Sequence, residues 1–253
     1  MSDLPSAFTG TFCVDFHTHI LPEMDDGSSS PEESEQMLRT SFQQGVSCVV
    51  LTPHFRAERE EPRSFLERRE RCLERLQHIR RSGCPQLIPG AEAAYYDGIS
   101  YMKELPYMCA GTSRCLLLEM PFCPWTERML SEVISLSGRG GYHVVLAHAE
   151  RYLRFQKDKV FFRLMEEEIF LQVNAGFFND WRTRRKAFQL LRENRVQLLG
   201  SDSHNMTSRP PNLGQACRIF QEKHHADDLG RIMSRAARLL GLTCMSMEKE
   251  KLP

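Results

Sequence analysis

Residues 11–27 read TFCVDFHTHILPEMDDG, and the order of residue types in that stretch recurs along the chain. Thr11–Phe16 is a short, mostly apolar run of the kind that forms a buried strand. It passes without interruption into His17-Thr18-His19, so two imidazoles stand at the strand's carboxyl end. The same junction follows Val46–Leu51, which leads into Thr52-Pro53-His54, and Gln86–Pro89, which leads into Gly90-Ala91-Glu92. Cys115–Leu118 ends at Glu119, and Tyr142–Ala147 ends at His148, followed by Glu150-Arg151. Val196–Leu199 runs into Ser201-Asp202-Ser203-His204, and Phe170–Val173 ends at Asn174. Six of these seven expected strands therefore present His, Asp or Glu where parallel α/β folds build their sites.

Between most strands lie polar stretches with helical spacing. The clearest starts at Ser30-Pro31-Glu32-Glu33, with Ser30 as cap, Pro31 in the first turn and Glu33 completing a capping box. Its spacing places Met37, Leu38 and Phe42 inward and stops it near Gly45. A charge-rich helix is expected over Ser64–Arg81, ending at Gly83. Others fit Thr126–Ser137, Lys157–Glu168, Trp181–Asn194 and two C-terminal segments, whereas Ala93–Gly111 is broken by Gly98 and Pro106. Seven strands alternating with helices imply a parallel α/β fold able to close into a TIM-like barrel. A single domain over 1–253 is expected, with an extension at 1–10 and a frayed tail at 245–253.

Composition narrows the partners. Thirty-three basic and thirty-three acidic residues leave a net charge of zero, which gives no electrostatic footprint for a phosphate backbone and disfavours nucleic acid. No apolar run approaches the roughly 18 residues of a membrane span, and Met1–Gly10 lacks the features of a secretion signal, so a cytoplasmic protein is expected. Nine scattered cysteines without a C-x-x-C pair fit reduced, buried thiols. None has arginine six positions later, which disfavours a cysteine-based phosphatase loop.

The histidines carry the chemistry. Five of the nine, His17, His19, His54, His148 and His204, stand at strand ends beside carboxylates. Residues two apart in a strand share a side, so His17/His19 and Asp202/His204 can each converge on one ion. Imidazole with carboxylate suits manganese, iron or zinc better than calcium. Six to eight such groups exceed the needs of one ion, so a cluster of two or three is expected, with a glutamate such as Glu92 as a bridge.

DFHTHILPEMDDG at 15–27, LTPH at 51–54, GAEAAYY at 90–96, LLLE at 116–119, LAHAERY at 146–152 and GSDSHNMTSRPP at 200–211 resemble the PHP (polymerase and histidinol phosphatase) superfamily. Within it they are most similar to bacterial capsule-type protein tyrosine phosphatases. That resemblance implies a distorted (β/α)7 barrel holding three metal ions, usually Mn2+, with Fe, Zn or Mg as other candidates. It assigns His17, His19, Glu92 and Asp202 to the first ion, Glu92, Glu119 and His148 to the second, and Asp26, His54 and His204 to the third. Arg151 and Arg209 match the family's phosphate-binding arginines, a role favoured over simple pairing with nearby ligand carboxylates because a site for a dianion needs fixed positive donors. The implied reaction is hydrolysis of phosphotyrosine on a protein by metal-bound hydroxide, the substrate being a bacterial tyrosine autokinase of polysaccharide export. The competing readings are a small-molecule phosphatase such as histidinol phosphatase, and a metal-dependent amidohydrolase.

Several nearby residues admit two readings. Asp25 replaces Asp26 if the register slips by one, and Glu150 is either a support for a ligand or a surface group. Asn174 faces the same mouth. In the loop Pro121–Trp125, Phe122 and Trp125 either flank a substrate ring or pack the loop. His78, His143, His224 and His225 read as packed or surface residues.

Overall fold

A computed structural model describes residues 12–76 and 83–242. The expected extension 1–10, the tail 245–253, His78 and the end of the second helix lie outside those residues. The strands are β1 (Val14–Thr18), β2 (Cys48–Leu51), β3 (His54–Phe55), β4 (Gln86–Pro89), β5 (Glu92–Ala94), β6 (Cys115–Glu119), β7 (His143–Leu146), β8 (Phe170–Asn174) and β9 (Leu198–Gly200). All pair in parallel, in the orders β1-β2-β4 and β3-β5-β6-β7-β8-β9. Each residue of β1, β2 and β6 is buried, as both-face coverage by helices requires.

Two expected strands each bend and continue. The chain breaks at Thr52-Pro53 between β2 and β3, and at Gly90-Ala91 between β4 and β5. Pairing survives the bend: Gly90 N–H donates to Leu51 O at 2.8 Å, and Glu92 N–H to Pro53 O at 3.0 Å. The two sheets meet where Thr18 bridges Ser203, with Asp202 N–H donating to His17 O and His19 N–H to Ser203 O. The result is one mixed α/β unit around a curled parallel sheet.

The helices are α1 (Pro31–Gln43), α2 (Pro62–Arg75), α3 (Leu105–Met108), α4 (Glu127–Ser137), α5 (Asp158–Glu166), α6 (Ala175–Asn179), α7 (Trp181–Arg192), α8 (Leu213–Glu222) and α9 (Ala226–Leu239). Ser30 caps α1 as expected, its Oγ accepting from Glu33 N–H. Glu33, however, does not close a capping box. Its carboxylate accepts from Ser29 N–H and Ser29 Oγ–H instead. Phe42 is also not inward, being 46% exposed. The buried stripe of α1 is Ser34, Met37, Leu38 and Ser41, and the next residue turns about 100° from Ser41 toward the stripe's edge. His224 and His225 lie in the turn before α9, and His143 is exposed at the start of β7.

Candidate metal centre

The bends place the chemical residues. His54 and Glu92 open β3 and β5 and stand opposite each other in the register, Glu119 closes β6, and His17 lies within β1. His148 and Asp202 adopt left-handed backbone angles, φ 34° and 53°, just past their strands. Such angles are uncommon outside glycine, and here they coincide with the points where the chain turns at the mouth. Asp202 and His204 are therefore not on an extended strand. They divide between two groups, while His17 and His19 converge on one.

His17 Nδ1 lies 3.0 Å from Gln172 Oε1, an oxygen that also accepts His148 N–H at 2.7 Å and so can only be the acceptor. The hydrogen of neutral His17 therefore sits on Nδ1, and Nε2 presents a lone pair. His19 is fixed the same way, with Nδ1 at 2.7 Å from Asp25 Oδ2. The two Nε2 atoms then face each other at 3.0 Å. Glu92 Oε2 lies 3.2 and 3.3 Å from them, and Asp202 Oδ1 3.6 and 3.5 Å. Four electron-rich atoms converging in a buried space need a shared cation or extra protons. The field of these acids is visible on the imidazoles. Burial opposes a charge on His19, but Asp25, Asp202 and Glu92 outweigh it and hold its pKa well above the usual imidazole range. Burial likewise opposes a charge on His148, yet Glu119 and Glu92 raise it to about 9.

A second group joins Glu92 and Glu119 with His54, and His148 Nε2 lies beside it at 2.9 Å from Glu92 Oε1 and 3.4 Å from Glu119 Oε1. Glu92 Oε2 is 2.9 Å from His54 Nδ1 yet makes no hydrogen bond among the described residues. The third group is His19, Asp26, His54 and His204. His204 Nδ1–H donates to Asp202 O at 3.0 Å, so its buried Nε2 is left with a lone pair and no hydrogen-bond partner among the described residues. Burial, with the charges of His19 and Arg209, pushes its pKa down to about 4 and keeps it neutral near pH 7. The donor set thus fits metal ions: imidazoles whose ring orientation is fixed, carboxylates placed between them and buried acceptors without donors.

Two supports, Gln172 and Asp15, lay outside the sequence reading. Gln172 orients His17 and passes its amide hydrogen to Asn174 Oδ1 at 2.9 Å. Asn174 in turn donates to Asp202 Oδ2 at 2.8 Å, so it touches a candidate ligand. Asp15 accepts Ser201 N–H at 2.7 Å and ties β1 to the Asp202 loop, with burial pushing its pKa up to about 6 against that bond. Asp25 is the orienting acid rather than the register alternative. Its Oδ2 takes His19 Nδ1–H at 2.7 Å and the His54 backbone N–H at 2.8 Å, while Asp26, 68% exposed, faces His54 and His204. Glycine is required at two closures. A Cβ on Gly27 would meet His19 O at 2.2 Å, and one on Gly200 would meet His17 Cβ at 2.5 Å.

Arg151 and Arg209 both reach Asp202 Oδ2, the latter at 2.7 Å, with about two-fifths of each side chain still exposed. A third arginine at the mouth, Arg56, donates to Glu119 Oε2 at 3.1 Å. Next to Asp26 and His54 opens a cleft of about 560 Å³, walled by Met24, Arg56, Arg59 and Arg68. Glu150 is half-buried and accepts Asn174 N–H at 3.2 Å, so it supports the strand end. The buried thiols are inert, since burial pushes Cys48, Cys109 and Cys115 up to about 12.

The sequence family described as capsular polysaccharide synthesis, CpsB/CapC, matches residues 13–240. Tyrosine-protein phosphatase YwqE of Bacillus subtilis is 27% identical over 236 residues, covering 90% of this chain and 91% of that protein. Tyrosine-protein phosphatase CpsB of Streptococcus pneumoniae is 29% identical over 232 residues, covering 84% and 91%. Among solved structures, one described as YwqE from Bacillus subtilis and CpsB from Streptococcus pneumoniae, unique metal-dependent tyrosine phosphatases, superposes with a TM-score of 0.78 at 23% identity. It covers 91% of this chain and 95% of that one.

Proposed function

Because the chain belongs to the CpsB/CapC family of capsular polysaccharide synthesis, we propose that it is a metal-dependent tyrosine-protein phosphatase. The observation that carries the metal reading is the pair of buried imidazole lone pairs 3.0 Å apart, flanked by Glu92 and Asp202. His17, His19, Glu92 and Asp202 would hold one ion, Glu92, Glu119 and His148 a second, and Asp26, His54 and His204 a third, with manganese as the resident metal. When bound, such ions supply Lewis acidity, lowering the pKa of water from about 15.7 toward 7 and neutralising phosphoryl charge. With each bent strand counted once, the scaffold is a distorted barrel of seven β/α units whose mouth carries these groups.

The chain's own residues bind and orient the ester. Arg151 and Arg209, drawn together by Asp202 Oδ2, offer planar paired donors to the non-bridging phosphoryl oxygens. Gln172, Asp25 and the Asp202 carbonyl hold His17, His19 and His204 in the tautomer that faces the centre. A tyrosine leaving group has a pKa of about 10, so departure needs less protonation than an alkyl alcohol does. The cleft walled by Arg56, Arg59 and Arg68 takes the polypeptide beside the phosphotyrosine. The substrate is a cytoplasmic tyrosine autokinase of polysaccharide export.

Two measurements test this reading. Metal-loaded protein should hydrolyse a phosphotyrosine peptide with a higher kcat/KM than histidinol phosphate, and a preference for histidinol phosphate by orders of magnitude would overturn the substrate class. His204→Ala should abolish turnover while leaving the far-ultraviolet circular dichroism unchanged.

A further inference from the structure

The loop after β6 carries two aromatic residues that meet different fates. Trp125 is buried, donates Nε1–H to Pro121 O at 2.9 Å, and packs edge-on to Tyr152 with ring centroids 5.0 Å apart. That side chain is loop packing. Phe122 instead remains 42% exposed, although it lies against the metal centre. Its ring is nearly parallel to His148, at 5.8 Å and 26°, and to Tyr152, at 5.5 Å and 29°.

Both backing rings are fixed. Tyr152 is fully buried and its hydroxyl accepts Met120 N–H at 2.9 Å, while His148 is buried with Nε2 on Glu92. Phe122 is therefore supported from behind and open toward solvent, three residues after Glu119 and stacked on another candidate ligand. Tyr101, Tyr107 and Trp181 are more exposed, but among the described residues none makes a ring contact with a strand-end histidine.

We propose that Phe122 is the specificity-determining residue that contacts the phenyl ring of the substrate phosphotyrosine, and so selects aryl over alkyl phosphate esters. The inference rests on the phosphatase reading and adds the group that recognises the ring. A phosphoryl group held at the Arg151/Arg209 side of the mouth leaves the ester's organic part at its rim. An aryl ring there meets Phe122 by edge or offset face, whereas a phosphoserine side chain brings no ring and is shorter. Aromatic pairs at centroid separations of about 4.5–7 Å gain attraction beyond simple burial.

The test uses metal-loaded wild type, Phe122→Ala and Phe122→Tyr. KM and kcat are measured on a phosphotyrosine peptide, and Ki is measured for inorganic phosphate, which has no ring. Loss of the ring should raise KM about three- to tenfold, with kcat changed by less than about twofold and Ki for phosphate unmoved. Phe122→Tyr should restore KM to within about twofold of wild type. An unchanged KM in Phe122→Ala would overturn the proposal. So would a parallel rise in KM and phosphate Ki, which would mean that Phe122 only props His148. A wild-type protein with no phosphotyrosine turnover would instead overturn the phosphatase reading, and this inference with it.

Discussion

Asp25→Asn removes one charge from behind the metal centre with almost no change of shape. Asp25 Oδ2 accepts from His19 Nδ1 at 2.7 Å and His54 N–H at 2.8 Å, and Oδ1 accepts from Gly27 N–H at 2.9 Å. An asparagine has one acceptor oxygen. Its best orientation keeps that oxygen toward His19 and His54, and so points NH2 at the Gly27 N–H. One largely buried donor is then left facing another, at a cost of about 1–3 kcal/mol of folding stability. The second loss is functional. A carboxylate on Nδ1 raises the basicity of a ligating imidazole and fixes its ring, and removing such a partner lowers metal affinity by about 10- to 100-fold. That is about 1.4–2.7 kcal/mol on metal binding alone. Competition titration of Mn2+ against a chelator, with thermal unfolding of the stripped protein alongside, measures both losses. If Asp25→Asn bound Mn2+ with wild-type affinity, the assignment of Asp25 as the residue that orients His19 would be refuted.

Gly200→Ala places a methyl 2.5 Å from His17 Cβ and 3.0 Å from Gln172 Nε2, so unfolding should show a loss of about 1–3 kcal/mol; an unchanged melting curve would contradict the close packing of β9 on β1. Glu132 on α4 accepts from Gly98 N–H, Ser100 N–H, Ser100 Oγ–H and Tyr95 Oη–H; burial is the largest single effect and raises its pKa, but these bonds together outweigh it and hold the carboxyl below the ordinary value of 4.5. The stabilisation it contributes is complete above that value and disappears as pH falls through the lowered one. Glu132→Gln should therefore be less stable than wild type by about 1–2 kcal/mol at pH 7, with the gap closing in acid; a gap independent of pH would rule out the charge as its source.

Much of the site was legible because metal ligands are rare residue types placed at strand ends. Nine candidate ligands, from His17 to His204, could be named from the junctions and the resemblance; the fold brings eight of them into three adjoining groups, and the ninth, His148, lies beside Glu92 and Glu119. Their supports were not legible. Gln172 lies 155 residues from His17, and Asp15 lies 186 residues from Ser201, so neither pairing leaves a local pattern. Asp25 could not be separated from Asp26 without the backbone, because Asp25-Asp26-Gly27 reads equally as a turn. The seven expected strands survived as pairings, but past the bends at Thr52-Pro53 and Gly90-Ala91 the chain forms two further short strands, β3 and β5, that the sequence did not reveal. Those bends set His54 and Glu92 at the centre. Phe42 failed for a simpler reason: helical spacing identifies a stripe, and a residue at the stripe's edge can fall on either side of it.

The most direct test of the metal account is stoichiometry measured together with activity. Protein stripped by a chelator should lose phosphotyrosine turnover, and titration with Mn2+ should restore it as about two to three ions bind per chain. Full turnover in protein holding less than about a tenth of an ion per chain would contradict the account, whatever its effect on stability.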